Sequence, residues 1–319
     1  MKKFFLCSIL SLFMLSCSNN DTDAQTQTPT QPTKPEAKYQ TKNVVLLVVD
    51  GPRISETWEA ANKENIPNRV SLLSQGVFIS NFKNNGTTNT NPGHSAMCSG
   101  VYENIKNNGT ELPGFPSVMQ QWLKFTGADK TKAWVIASKD KLEVLNDCKL
   151  ADWKGKFQPS VDCGVSGNGS GYRDDLVTMT KTKEVMAKYS PNVMVINLKD
   201  VDSNGHANNW DGYIKAIKTT DASIKEIWDY IQSLPAYKDK TTLIVSNDHG
   251  RHIDGFAEHG DDCSGCRHIE FFAMGPDFKK NTTISTGSYE QIDIASTMAE
   301  LLGIPAQYMK GKIIKDAFK

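Results

Sequence analysis

The chain has no excess of charge of either sign: 36 Lys and Arg stand against 36 Asp and Glu in 319 residues. That balance excludes a basic nucleic-acid surface and gives no reason to expect a polyanionic partner. Beyond the first twenty residues no apolar run reaches the roughly 18 residues needed to cross a bilayer, so no transmembrane helix is expected there. Cysteine is sparse, seven in all with two in the first 17 positions, which excludes a disulfide-scaffolded miniprotein. There is no internal repeat, so a solenoid or propeller is excluded. Histidine is absent before position 94, and four of the six lie between 249 and 268, an uneven distribution that already points to one region. The apolar content, 39%, is high enough to rule out a disordered polyampholyte and to fill one large or two modest cores.

The first twenty residues, MKKFFLCSILSLFMLSCSNN, join two lysines to an apolar run and a small residue before Cys17. This is the pattern of a secretory signal. Met14-Leu15-Ser16-Cys17 resembles a bacterial lipobox, in which the cysteine is lipidated and becomes the new N-terminus. The Thr-, Gln- and Pro-rich stretch that follows to residue 41 cannot bury a core and reads as a tether. The expected organisation is therefore a signal peptide at 1–16, a lipid-attachment cysteine with a disordered tether at 17–41, and a single domain at 42–319. The expected location is outside the cytoplasm, periplasmic or on the cell surface, with a membrane reached through lipidated Cys17. In an exported chain, pairings of Cys148 with Cys163 and of Cys263 with Cys266 are plausible, although sequence leaves the connectivity open. A zinc ribbon or redox motif at 263–266 lacks its second CxxC pair and its strand-to-helix context, so a local disulfide is expected there.

From residue 42 onward short continuous apolar runs alternate with amphipathic stretches. Runs at 44–49, 133–137, 193–196, 243–245 and 271–274 suit strands buried on both faces. Stretches at 173–188, 212–234 and 289–302 have helical length, and the last ends at Gly303 with Pro305 beyond it. The expected fold class is α/β, a three-layer α/β/α sandwich around a largely parallel sheet with a mixed edge.

The polar residues at the strand ends carry the chemistry. Asp50 follows VVLLVV, Asp202 and His206 follow VMVINLKDV, and Asp248 with His249 follows LIVSN. In a parallel sheet these ends share one edge, where ligands bind. One Asp after a strand is ordinarily a turn or helix cap, whereas three of them with imidazoles nearby offer enough donors for two divalent ions. The mixture of imidazole and carboxylate suits zinc, and two such ions clamp a phosphoryl group.

The segments VVLLVVDG (44–51), TNPGHSAMCSG (90–100), DVDSNGH (200–206), SNDHG (246–250), EHG (258–260) and QIDIASTMAELLGIP (291–305) resemble, in this order, those of the alkaline phosphatase superfamily. The resemblance runs from about residue 44 to the C-terminus and is nearest to the threonine-nucleophile phosphatase and nucleotide pyrophosphatase/phosphodiesterase branches. It implies two divalent metal ions, zinc first among candidates, one held by Asp50, Asp248 and His249 and the other by Asp202, His206 and His259. It places Thr90 as the nucleophile and as a further metal ligand, since a hydroxyl held by a divalent cation ionises far more readily than a free one. His94 reads as structural, and His252 and His268 as loop or supporting residues.

Further positions bear on the substrate. The resemblance puts Asn108 near a phosphoryl oxygen, with Asn107 as the alternative and a plain turn before Gly109 as the ordinary reading. Ser138-Lys139-Asp140-Lys141 is similar to the S-x-K-x-R segment of the threonine-dependent monoesterases, but it is one residue shorter and has lysine where that segment has arginine, losing the bidentate fork. Lys139 and Lys141 so placed would favour the doubly charged terminal group of a monoester. A diesterase would instead need an aromatic wall, for which Trp153, Phe157, Trp210 and Tyr213 are candidates. The expected activity is hydrolysis of small phosphate monoesters through a phosphothreonine. The alternatives are phosphodiester or pyrophosphate cleavage on the same site, a phosphonoacetate-type hydrolase, and a surface lipoprotein that only binds. Sulfatases require Cys or Ser at the start of C/S-x-P-x-R, where this chain has Thr-Asn-Pro-Gly-His.

Overall fold

The computed structural model describes residues 38–319; the signal, lipobox and most of the tether expected from sequence lie outside the described residues. One eight-stranded sheet organises them: β1 (Asn43–Val49), β2 (Gly76–Ile79), β3 (Ala133–Ala137), β4 (Ser160–Cys163), β5 (Val193–Leu198), β6 (Thr241–Asn247), β7 (Phe271–Met274) and β8 (Thr282–Ile284). Their spatial order is β4-β3-β5-β1-β6-β7-β2-β8. The block from β4 to β6 is parallel, β7 runs antiparallel to both its neighbours, and β8 pairs parallel with β2. The mixed edge is thus the β7 side.

Among the described residues there are eight α-helices: α1 (Pro67–Leu72), α2 (Thr90–Ser99), α3 (Val118–Thr126), α4 (Asp175–Tyr189), α5 (Asp200–His206), α6 (Trp210–Ser233), α7 (Ser264–Arg267) and α8 (Asp293–Leu302). The unbroken apolar run of β1 serves two cores because successive side chains alternate faces. Val44, Leu46 and Val48 pack with Met97, Val118, Met119, Ile294 and Met298 from α2, α3 and α8. Val45, Leu47 and Val49 pack with Met179, Met186, Ile217, Ile224 and Ile227 from α4 and α6. The architecture is the three-layer α/β sandwich expected from sequence. Among the described residues no helix is long and apolar enough to cross a membrane.

Three details differ from the sequence reading. The last helix begins at Asp293 instead of 289, because the Gln291 N–H donates to Lys83 O at 2.8 Å and that segment pairs as a bridge. Strands β2, β4 and β8 have only three or four residues each, too short to show periodicity. Cys98, Cys148, Cys163, Cys263 and Cys266 are all free thiols, so neither suggested disulfide is present.

Candidate active site

Parallel register brings the strand ends level: Val49 of β1 pairs with Leu198 of β5 and with Asn247 of β6. Asp50 and Asp248 therefore emerge side by side, and α5, starting two residues after β5, carries Asp202 and His206 one helical turn apart on the same face. His206 Nε2 lies 3.4 Å from Asp202 Oδ1. Helix α2 is buried along its whole length and opens with Thr90. It can approach Asp248 only because residue 93 is glycine; a Cβ there would stand 2.6 Å from the Asp248 carbonyl oxygen. Five positions named from sequence as ligands or nucleophile, Asp50, Thr90, Asp202, Asp248 and His249, are thus fully buried at one edge, with His259 and His206 at its rim.

The donor atoms are arranged for cations. Asp248 Oδ2 and His249 Nε2 are 3.4 Å apart, buried, and without hydrogen-bond partners. His249 Nδ1 faces Gly250 O at 2.9 Å and His259 Nδ1 faces Thr88 O at 2.9 Å, so each Nδ1–H donates to a carbonyl and each Nε2 keeps its lone pair. Burial pushes the His249 pKa down to about 3 and that of His259 to about 4, leaving both imidazoles neutral. His206 Nε2 and His259 Nε2 are 3.0 Å apart, and His259 Nε2 is 3.5 Å from Asp202 Oδ1. A proton on His206 Nε2 would bridge it to His259, whereas Asp248 Oδ2 and His249 Nε2 face each other as unpartnered acceptors that a shared cation would join. The two sets meet where the His249 and His259 rings stack at 3.7 Å. Nitrogen and carboxylate donors in this arrangement fit divalent metal ions.

Lys139, following β3, holds the centre. Its Nζ is 2.9 Å from Asp50 Oδ1 and 2.6 Å from Asp202 Oδ2, and donates to Thr90 Oγ1 at 3.1 Å. The ammonium marks a position where the carboxylates require positive charge. Burial alone would raise the Asp202 pKa, but the Lys139 ammonium and the Arg251 guanidinium hold it well below the usual carboxylate range.

Lys141 and Asn107 meet at the start of α2, and Asn108 turns away. Lys141 Nζ donates to the carbonyl and the Oδ1 of Asn107, 3.0 Å each, and Asn107 Oδ1 also accepts from Asn91 N–H at 2.9 Å, at the N-terminus of α2. Asn107 therefore stands beside the nucleophile. Asn108 instead accepts from the N–H and hydroxyl of Thr110, the ordinary turn arrangement, because its side chain closes the local loop. Of the aromatic candidates, Trp153 packs against Phe157 and Tyr308, under Lys124. Trp210 is half-exposed and packs against Tyr213 and Phe256.

Three residues at the site, Asn197, Arg251 and Tyr172, were missed from sequence, while His94 takes the structural place expected of it. Asn197 donates to Asp50 Oδ2 at 3.2 Å and to His94 Nε2 at 3.1 Å; its signal was one polar residue inside an apolar strand. His94 in turn donates from Nδ1 to Thr90 O at 2.8 Å, bracing the nucleophile's backbone. Arg251 is wholly buried and donates to Asp202 Oδ1 and to the carbonyls of Phe256 and Ala257. It needs Gly205, where a Cβ would stand 2.4 Å from the guanidinium carbon. Tyr172, half-exposed, has its ring 5.8 Å from Lys139 Nζ at the mouth of the site. Nothing in its Gly-Tyr-Arg context marked it.

Residues 42–306 match the model of the family described as Metalloenzyme superfamily. The chain is 24% identical to GPI ethanolamine phosphate transferase 1 of Saccharomyces cerevisiae over 97% of its own length and 37% of the yeast protein. It is 30% identical to phosphopentomutase of Acetivibrio thermocellus over 41% of this chain and 31% of that one. The chain thus spans about a third of the length of these curated relatives. Among solved structures, murine ectonucleotide pyrophosphatase/phosphodiesterase 5 superposes with a TM-score of 0.65 at 15% identity, covering 87% of this chain and 100% of that chain. The lipoteichoic acid synthase LtaP of Listeria monocytogenes gives 0.64 at 14%, covering 87% and 76%. These likenesses establish the shared fold. With an alkaline phosphatase-like sandwich and an edge of carboxylates and imidazoles suited to divalent ions, this chain belongs to the Metalloenzyme superfamily.

Proposed function

We propose that the chain is a zinc-dependent, two-metal phosphohydrolase that cleaves small phosphate monoesters through a phosphothreonine at Thr90. The observation that carries this reading is the position of Thr90 Oγ1, at the start of α2, 3.1 Å from an ammonium that also contacts Asp50 and Asp202. Asp50, Asp248 and His249 would hold one ion, and Asp202, His206 and His259 the other. Bound divalent ions would supply Lewis-acid stabilisation of phosphoryl oxygens and ease ionisation of a hydroxyl. Thr90 Oγ attacks phosphorus as the bond to the leaving oxygen breaks, and the alcohol departs with a proton. Water then attacks phosphorus, the Thr90 Oγ–P bond breaks, and inorganic phosphate leaves. Lys139, Lys141 and the N-terminus of α2 supply positive potential for the non-bridging oxygens. His94 and Asn197 hold Thr90 and Asp50 in place throughout.

A second reading is favoured by Tyr172. An aromatic face at the mouth suits the second substituent of a diester, and the yeast and mouse relatives are named for transfer of ethanolamine phosphate. The ratio of kcat/KM on p-nitrophenyl phosphate to that on bis-p-nitrophenyl phosphate decides between them. The monoester reading expects a ratio above roughly tenfold, falling most in Lys139→Ala; a ratio below one, with a diester rate that drops in Tyr172→Ala, establishes the second.

We further propose that the domain is exported and held at a membrane surface by lipid on Cys17, a reading supported by the Met14-Leu15-Ser16-Cys17 segment. Metabolic labelling with a fatty acid should mark the protein and be lost in Cys17→Ala; equal labelling of both excludes it.

A further inference from the structure

Outside the site described above, His252, Asp261, Cys263 and Cys266 each bring one ligand-type atom to a common point, all within 4.8 Å of one another. We propose that these four residues form a separate structural zinc site that clamps the loop between β6 and α7.

The donor set is the first support. Two sulfurs, an imidazole nitrogen and a carboxylate oxygen make the tetrahedral mixture characteristic of zinc, and thiolates disfavour magnesium or calcium. Zinc bonds of about 2.0 Å to N and O and about 2.3 Å to S imply tetrahedral edges of roughly 3.3 Å between N and O and roughly 3.8 Å between sulfurs. His252 Nε2 lies 3.1 Å from Asp261 Oδ2, close to such an edge. That nitrogen is buried and makes no hydrogen bond, so either a proton or a shared cation would have to join it to the carboxylate.

The surroundings are arranged as an outer shell. Asp261 Oδ1 accepts the Cys263 N–H at 3.0 Å, which leaves Oδ2 to turn inward. Cys263 Sγ accepts the Cys266 N–H at 3.3 Å, the kind of bond that compensates a thiolate. Cys266 is fully buried, while His252 and Cys263 border a pocket open to solvent that gives an ion a way in.

The site also has something to hold. Residues 251–263 contain no regular secondary structure, and Ile253 is 62% exposed. Yet this segment carries Arg251 and His259. Gly250 N–H donates to Cys266 O at 2.8 Å and Thr88 Oγ1 donates to Asp261 O at 2.7 Å, so the four ligands sit where the loop leaves and rejoins the fold. A bound ion would close it in the way a disulfide closes a long loop.

The test is metal content and spectrum, with no need for turnover. Full-length protein isolated without reductant and dialysed into metal-free buffer should hold one more equivalent of zinc than the Cys263→Ser/Cys266→Ser variant. The cobalt-substituted wild type should show a thiolate-to-metal charge-transfer band. His259→Ala should lose a different equivalent and keep that band. Recovery of Cys263 and Cys266 as a disulfide, equal zinc in wild type and double variant, or cobalt protein without the band overturns the proposal. The last is read on the wild type, so it stands even where the double variant fails to fold.

Discussion

Replacing Lys139 by methionine should destabilise the protein strongly without metal and weakly with it. The ammonium is buried and lies 2.9 Å from Asp50 Oδ1 and 2.6 Å from Asp202 Oδ2. Coulomb's law at an effective dielectric of about 20 gives roughly 6 kcal/mol of attraction per pair. Desolvation offsets several kcal/mol of this, and breaking one partner out of a buried pair costs about 3–5 kcal/mol overall. In chelator the variant leaves Asp50 and Asp202 facing each other with that full loss. With divalent metal supplied, the carboxylates have a cation whether or not Lys139 is present, and a volume-conserving change costs less than about 1.5 kcal/mol. The stability gap between loaded and stripped protein should therefore widen by roughly 2–4 kcal/mol. By linkage the variant binds metal roughly 30- to 1,000-fold more tightly. Urea unfolding of both proteins, each with chelator and with zinc, reads this directly. Equal losses in the two conditions would refute the idea that the ammonium occupies a cation's place.

Two other outcomes follow from the same geometry. His259→Ala should lower bound metal by about one equivalent per chain and leave the ion at Asp50, Asp248 and His249 in place, as counted by plasma mass spectrometry; unchanged content removes His259 from the ligand set. Burial, reinforced by Lys139, lowers the Lys141 pKa to about 8, so its charge is present below that pH and lost above it. Monoester kcat/KM should fall as pH rises through 8, whereas Lys141→Arg, whose guanidinium stays charged, should retain roughly tenfold more of its activity at pH 9. Parallel profiles for the two proteins would exclude Lys141 from phosphate recognition.

Much of this arrangement was legible because parallel strands buried on both faces read as unbroken apolar runs. The first charged residue after such a run has to appear at the sheet edge. VVLLVV-Asp50 and LIVSN-Asp248-His249 announced themselves in this way. Asp202 and His206 stand out because they follow the run VMVINLKDV, and the structure sets them four apart on a short helix. What stayed hidden depends on contacts between distant segments. Arg251 looked like one more charged loop residue, and only Gly205 lying against it allows the guanidinium to be buried beside Asp202. Asn107 and Asn108 are neighbours of the same type, and only the packing of that loop on the start of α2 decides which faces Thr90. Without a second CxxC pair or a strand-to-helix context, Cys263 and Cys266 suggest a local disulfide, and nothing in the sequence signals that His252 and Asp261 come within 4.8 Å of them.

The most direct test of the central claim is to find the phosphoryl group on the enzyme. Zinc-loaded protein mixed with a phosphate monoester and quenched in acid should yield, by peptide mass spectrometry, one phosphate on the peptide spanning Thr90, assigned to that residue. Thr90→Ala should show none and should lose turnover by about a thousandfold or more while keeping its metal. Phosphate on another residue, or near-normal turnover in Thr90→Ala, would contradict the account.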